Sequence, residues 1–111
     1  MTNISKYDVV IVKFPFASSM RYKARPAVVI SSDNYNSKSR NTLLILAISS
    51  NIENKLSIET ELINWQKAGL LKPSIFKASI ATIEKEFVIT KIGELNIADI
   101  KQLENMIGTI C

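Results

Sequence analysis

Short apolar runs separated by polar segments are the feature that most constrains the fold of this chain. The segment Thr42-Leu43-Leu44-Ile45-Leu46-Ala47-Ile48 is apolar after its first residue, and a run of this length is typical of a strand. Because the run has no polar alternation, other parts of the protein must cover both of its faces. We therefore expect residues 42–48 to form a central strand.

Five other segments have the composition of strands, with β-branched, aromatic and other apolar residues bounded by turn residues. They are residues 7–14, 25–32, 56–60, 74–80 and 87–93. Because a proline has no N–H, Pro26 is expected at the first residue of a strand or on a sheet edge. The polar segment 33–41 is expected to be a connecting loop, and residues 81–86 fit either a turn or a strand edge.

Residues 62–68 fit a short helix or an irregular segment, and a longer helix is predicted at the C-terminus. Asn96 suits the N-cap position and Asp99 the first turn. Apolar residues then recur at helical spacing, namely Ile97, Ile100, Leu103, Met106 or Ile107, and Ile110. Strands followed by a single helix predict one mainly β domain over residues 1–111. We expect a small, strongly bent antiparallel sheet or partly closed barrel, with the helix against one side.

The charge distribution favours a polyanionic partner. The net charge is +4, and residues 1–40 hold seven Lys or Arg against two Asp. A basic part of this kind is typical of small domains that bind nucleic acid. No apolar stretch approaches the ~20 residues of a membrane span, and the N-terminus lacks the pattern of a signal peptide. We therefore expect a cytoplasmic protein that does not contact a membrane.

The absence of histidine narrows the possible chemistry. The chain has no His, and its single cysteine is the last residue, Cys111. This composition excludes Ser-His-Asp and Cys-His nucleophile pairs as well as His-ligated metals. We expect no metal and no cofactor, so that any catalysis must use Arg, Lys, Ser, Tyr or a carboxylate.

Polar side chains lie at the ends of two predicted strands and inside a third one. Arg25 begins the second strand, Ser49 and Ser50 follow the third, and Lys77 and Ser79 lie two residues apart in the fifth. If these groups converge, their cations and hydroxyls suit a phosphodiester, whose reaction needs fixed positive charge and hydrogen-bond donors. RNA also brings its own nucleophile, the 2′-OH. Structural alternatives exist: a solvated basic loop at Arg25, a strand-end cap at Ser49 and a solvated surface position at Lys77.

A weaker signal for RNA binding comes from the segment before Arg25. Phe16 lies close in sequence to Arg21 and Lys23, and unpaired bases stack on aromatic side chains near basic groups. We therefore expect these three residues to contact RNA.

The order of several motifs resembles the MazF/PemK toxins of bacterial type II toxin–antitoxin pairs. The motifs are DVVIVKFPF (8–16), KARPAVVIS (23–31), LAISS (46–50), WQKAGLLKPS (65–74), ATI (81–83) and KIGEL (91–95). The resemblance implies an SH3-like barrel with a terminal helix, a homodimer, and metal-independent endoribonuclease cleavage of single-stranded mRNA. It also implies inhibition by a cognate antitoxin protein.

The resemblance also implies roles for four residues. Arg25 matches the catalytic Arg of the family, and Ser49 lies where a catalytic Thr usually stands. Lys77 lies where many members have a basic residue in proton transfer, and Ser79 where those members often have Asp. Serine keeps the hydroxyl of Thr without the methyl group that restrains χ1. The change from Asp to Ser removes a carboxylate that could act as a base.

Two alternatives follow from these departures and from related toxins. The chain could be a catalytically weakened module of the same fold that binds RNA or an antitoxin-like peptide. It could also act on DNA gyrase, as the related CcdB toxins do. The Arg25-Pro26 and Ser49 matches favour the branch that cleaves RNA.

Overall fold

A computed structural model describes residues 4–15 and 22–111, and its main element is a six-stranded antiparallel sheet. The strands are β1 (Asp8–Pro15), β2 (Tyr22–Val29), β3 (Thr42–Ser49), β4 (Thr60–Glu61), β5 (Ile75–Glu84) and β6 (Val88–Glu94). The helices are α1 (Asp33–Lys38) and α2 (Ile97–Ile110), and short 3-10 turns occupy Ile52–Asn54 and Lys85–Phe87. The predicted fold class, mainly β with a C-terminal helix, is therefore confirmed.

The strand predicted to be central is central. The order across the sheet is β4-β5-β3-β2-β1-β6, so β3 lies between β5 and β2. Leu43 and Ile45 on one face of β3 and Leu46 on the other are all fully buried. Within the described part of the chain the sheet stays open, because β4 and β6 are its two edge strands.

Apolar side chains fill both faces of the sheet. On one face they form the inner core, which consists entirely of strand residues: Val10, Val12, Ala27, Val29, Leu43, Ile45 and Ile83. On the other face they form the helix-side core, which joins the sheet to α2 and to the segment before β5: Val9, Val28, Leu46, Ile48, Leu62, Ala68, Leu70, Phe76, Leu95, Leu103 and Met106. Ile4 and Phe87, which lie outside the strands, also pack against the inner core. The other residues around it belong to the strands, so the sheet must curve around this core. The expected strong bend is therefore present.

The C-terminal helix begins and packs as its sequence predicts. The Asn96 side chain accepts a hydrogen bond from the Asp99 N–H at 2.9 Å, which is an N-cap contact. The Asp99 carboxylate is fully buried and accepts from the N–H groups of Ile63 (2.6 Å) and Asn64 (3.0 Å). The helix therefore holds the start of the segment that leads to β5.

A second polar contact joins α2 to the residue before β1. The Tyr7 hydroxyl donates to a Glu104 carboxylate oxygen at 2.7 Å. Burial, together with this neighbouring carboxylate, raises the pKa of Tyr7 to about 12. Tyr7 thus stays a neutral donor to α2 at physiological pH.

The prediction of a loop at residues 33–41 is wrong for the first six residues, Asp33–Lys38, which form α1. The Ser32 side chain accepts from the Tyr35 N–H at 3.1 Å and caps this helix. The Ser31 hydroxyl donates to the side-chain oxygen of the buried Asn36. Capping and this polar pair hold the helix. Because the helix does not depend on an apolar face, its sequence lacks the apolar periodicity by which helices are recognised.

The predicted strand at residues 56–60 is wrong except at Thr60, where β4 begins. The preceding segment is a loop closed by Glu59, which is only 4% exposed. One carboxylate oxygen of Glu59 accepts from the Leu56 N–H at 2.8 Å, and the other accepts from the Ala78 N–H at 2.7 Å. The Glu59 side chain therefore pairs with the Ala78 N–H of β5, at a point that the two-residue strand β4 does not reach. Beyond Ala78, β5 continues to Glu84, so residues 81–84 belong to the strand.

Removing the Glu59 carboxylate should destabilise the fold. We expect Glu59→Ala to lower the free energy of unfolding by about 2–3 kcal/mol, because the Ala78 N–H loses its acceptor in the protein interior. Urea denaturation measures the change. The control is Glu61→Ala at an exposed position in β4, which should change the free energy by less than about 0.5 kcal/mol. Equal effects of the two substitutions would contradict this role of Glu59.

Candidate functional site

The pairing between β2 and β3 ends at a proline. The Ile30 N–H donates to the Leu44 carbonyl at 2.9 Å, and backbone groups two residues apart on a strand face the same neighbour. The backbone nitrogen of Pro26 therefore faces β3. If the register continued, Ile48 would lie opposite Pro26. Pro26 has no N–H to donate, and the paired residues of β2 and β3 stop at Ala27. The sheet opens at this point.

The position of Pro26 within its strand differs from the prediction. β2 begins at Tyr22 rather than Arg25, and it pairs with β1 on both sides of Pro26, which lies opposite Ile11. The proline fits inside a strand because its nitrogen faces β3 and not β1. Pro26 therefore interrupts the pairing with β3 and leaves the pairing with β1 intact.

A cleft of about 500 Å³ lies where β2 and β3 separate. Its apolar lining comes from four strands and from the segment before β5: Ile11, Pro26, Ile48, Leu70, Leu71 and Ile92. Pro26 and Ile48, the two positions at which the ladder fails, both line it. The cleft is therefore a direct result of the interrupted pairing.

Polar groups from β2, β3 and the segment before β5 complete the cleft. They are Arg25, Ser49, Ser50, Lys72 and Ser74. Two are cations and three are hydroxyls, and no Asp or Glu occurs among the described lining residues. Such a set can neutralise and hydrogen-bond a phosphate, because every charged group in it is a cation that donates hydrogen bonds.

The Ser49 hydroxyl has one contact that fixes its oxygen. It accepts a hydrogen bond from the Asn51 N–H at 3.1 Å, where the chain leaves β3. This is the strand-end cap that the sequence offered as an alternative to a functional role. The cap occupies one acceptor site only, so the hydroxyl proton can still be donated to a ligand. The structural and functional roles of Ser49 are therefore compatible.

Two glycines bring the segment before β5 against β6. Gly69 has φ +87°, and a Cβ at this position would lie 2.1 Å from the Ile92 carbonyl oxygen. A Cβ on Gly93 would lie 2.4 Å from the Ala68 carbonyl oxygen. Only glycine permits this approach from both sides. The contact places the residues that follow Gly69 at the wall of the cleft.

Lys77 and Ser79 do not line the cleft. Both are exposed on β5, in the short stretch where the register between β3 and β5 shifts. Ile75 pairs with Ser49, and residues two apart share a face, so Lys77 and Ser79 lie on the sheet face of Ser49. The structure thus brings Arg25, Ser49 and Ser50 together and leaves Lys77 and Ser79 further along the same face.

The remaining predicted RNA contacts cannot be placed in the same way. Phe16 and Arg21 lie outside the described residues. Lys23 belongs to β2, where its backbone position pairs with Phe14. The expectations for these three side chains stay predictions.

Two polar contributors to the cleft were absent from the predicted site. Lys72 lies in the WQKAGLLKPS segment, which has no strand or helix periodicity before Ser74, and Ser74 itself was predicted only as the first residue of a strand. The signal that could have revealed them is the sequence Gly69-Leu-Leu-Lys-Pro, in which exposed apolar and basic residues stand between a glycine and a proline. Loop residues positioned in this way often have functional roles.

None of the helices in residues 4–15 and 22–111 is long and apolar enough to cross a membrane. In the same ranges, no three His, Cys, Asp or Glu side chains are grouped as metal ligands would be.

Comparison with known proteins identifies relatives by sequence family and by fold. Residues 5–111 match the family model of the PemK-like, MazF-like toxins of type II toxin–antitoxin systems. No protein of curated function matches the sequence significantly.

Three solved structures illustrate the likeness in fold. MazF from Deinococcus radiodurans has a TM-score of 0.78 at 14% identity, covering 99% of this chain and 97% of the other. The Mycobacterium tuberculosis toxin MazF-mt6 has a TM-score of 0.73 at 20% identity, covering 93% and 94%. An endoribonuclease from a mycobacterial species, in complex with its cognate antitoxin, has a TM-score of 0.73 at 14% identity, covering 99% and 94%.

Substitution of Gly69 should disturb both the fold and the cleft. We expect Gly69→Ala to lower the free energy of unfolding by at least about 2 kcal/mol, because the side chain adds left-handed strain and overlaps the Ile92 carbonyl. Thermal and urea denaturation measure it. Gly108→Ala is the matched control, since a Cβ there meets nothing within 4 Å and alanine favours the helix by up to about 1 kcal/mol. A Gly69→Ala protein as stable as wild type would refute the close approach to β6.

Proposed function

Since the chain belongs to the PemK-like, MazF-like toxins of type II toxin–antitoxin systems, we propose that it is a metal-independent endoribonuclease that cleaves single-stranded mRNA at the Arg25–Ser49 cleft. One observation carries the proposal. The cleft gathers Arg25, Ser49, Ser50 and Lys72 around one space with no carboxylate among its described lining residues. This is the charge pattern that a phosphodiester requires.

The proposed reaction uses the RNA 2′-OH as nucleophile. The 2′-oxygen forms a bond to the adjacent phosphorus, and the bond from phosphorus to the 5′-oxygen breaks, which leaves a 2′,3′-cyclic phosphate and a free 5′-OH. The Arg25 guanidinium donates to the phosphate oxygens, on which negative charge develops. The Ser49 hydroxyl donates a further hydrogen bond from a position fixed by the Asn51 N–H.

Two protons must move in this reaction: one leaves the 2′-OH and one reaches the departing 5′-oxygen. Lys77 is our candidate for assisting this transfer, because its long, flexible side chain starts on the same sheet face as Ser49. Ser79, which we expect to contact RNA nearby, has no acid–base function at neutral pH. Arg25 and Ser49 then provide most of the rate enhancement, and Lys77 a smaller part.

A second candidate function is RNA binding without cleavage. It is favoured by one specific observation, which is that Lys77 and Ser79 are absent from the described lining of the cleft. A cleft that holds a phosphate without a nearby proton carrier would bind RNA and turn it over slowly. Salt-sensitive binding without products would identify this case.

The proposal extends to partners. We infer that a cognate antitoxin inhibits the protein, as antitoxin complexes exist for a mycobacterial endoribonuclease and for Deinococcus radiodurans MazF. We also infer a homodimer, in keeping with the resemblance to MazF/PemK toxins. The site of action is the cytoplasm, where mRNA is available.

The decisive experiment is cleavage of single-stranded RNA by the purified protein in EDTA. We expect cleavage with 2′,3′-cyclic phosphate ends, and none when the nucleotides carry 2′-deoxyribose. Arg25→Ala should reduce the rate by about 100-fold or more, and Ser49→Ala by a smaller factor, because each removes a donor to the developing charge.

Two controls make this experiment specific. Arg40→Ala removes an exposed arginine that does not line the cleft and should retain the wild-type rate. Circular dichroism and the melting temperature should show that Arg25→Ala remains folded. An inactive wild-type protein, or a fully active Arg25→Ala variant, would refute the proposed function.

A further inference from the structure

The segment 69–74 presents two exposed side chains, Leu71 and Lys72, to which the proposed reaction steps assign no contact. Leu71 is 93% exposed, more than any other large apolar residue in the described chain. Lys72 is also exposed, and both residues line the cleft that contains Arg25 and Ser49. Because Leu71 lies at the wall of the cleft, an apolar part of a ligand bound there could cover it, and removing its surface from water is favourable.

Contacts on both sides hold this segment in place. On the N-terminal side, Gly69 packs against β6, and the buried Leu70 donates its N–H to the Trp65 carbonyl at 3.0 Å. On the C-terminal side, the Ser74 hydroxyl donates to the Lys72 carbonyl at 2.9 Å. The Leu62 N–H donates to the Ser74 carbonyl at 2.9 Å and closes the loop. Leu71 and Lys72 are therefore exposed residues of a loop that is held at both ends.

We propose that Leu71 and Lys72 form a substrate-recognition wall for single-stranded RNA, with Lys72 on a phosphate and Leu71 on the face of an unpaired base. The proposal rests on the proposed function and adds the residues that hold the RNA beside the reacting phosphate. Charge complementarity favours RNA as the occupant, because Lys72 adds a second cation to a cleft whose described lining lacks carboxylates. An exposed aliphatic side chain next to a cation suits a nucleotide, which has a flat apolar base and an anionic phosphate.

The two residues should give different signatures in RNA binding. Each phosphate contact on a single strand contributes about 0.7 to the slope of log affinity against log salt. Lys72→Gln should therefore reduce that slope by about 0.7 and weaken binding about fivefold at 0.1 M salt. Leu71→Ser should weaken binding roughly five- to tenfold at every salt concentration and leave the slope unchanged, since an apolar contact releases no counterions.

Fluorescence anisotropy with short 2′-O-methyl RNA oligonucleotides of mixed sequence measures both effects, because the blocked 2′ position prevents cleavage. The matched controls are Lys67→Gln and Ile97→Ser, which alter exposed residues that do not line this cleft. Both controls should bind as the wild type does. Light scattering on the same samples reports self-association.

The outcomes separate this inference from the proposed function. If the wild type cleaves RNA while Lys72→Gln and Leu71→Ser bind like their controls, the recognition wall is wrong and the function stands. If Leu71→Ser reduces self-association without changing RNA affinity, the surface joins two copies of the chain and the inference is also wrong. If the wild type neither binds nor cleaves RNA, the inference falls together with the proposed function.

Discussion

The candidate site depends on one missing hydrogen-bond donor. The nitrogen of Pro26 faces β3 and cannot donate, so the pairing of β2 with β3 stops at Ala27. The same residue leaves the pairing with β1 intact, because that ladder uses the groups that face the other way. A strand can thus stay inside a sheet and still separate from one neighbour, and the separation creates a cleft beside Arg25.

Two independent parts of the chain meet at this cleft. The strand ends supply Arg25, Ser49 and Ser50, and the loop before β5 supplies Lys72 and Ser74. That loop is positioned from a distance: the buried Asp99 of α2 binds its first N–H groups, and Gly69 packs against β6. The C-terminal helix therefore shapes the site without contributing a side chain to it.

The sequence predicted those features that arise from apolar patterning. The central strand β3, the helix α2 with its Asn96 cap, and the mainly β class all follow from runs and spacings that the structure reproduces. The errors concern elements held by polar side chains. The helix α1 depends on the Ser32 cap and lacks apolar periodicity, and the short β4 reflects the Glu59 carboxylate, which takes the place of a strand. At the site, Arg25 and Ser49 were predicted because they flank strands, whereas Lys72 was missed because its position depends on contacts of a loop with β6 and α2.

The most direct test of RNA binding at this cleft is to locate bound RNA on the protein. An NMR titration of the ¹⁵N-labelled protein with a 2′-O-methyl RNA oligonucleotide reports which backbone amides respond. We expect the largest shifts at residues 25, 48–50 and 69–74, around the gap left by Pro26. Shifts confined to the loop at 55–59 or to α2, with none at residues 25 and 49, would contradict it.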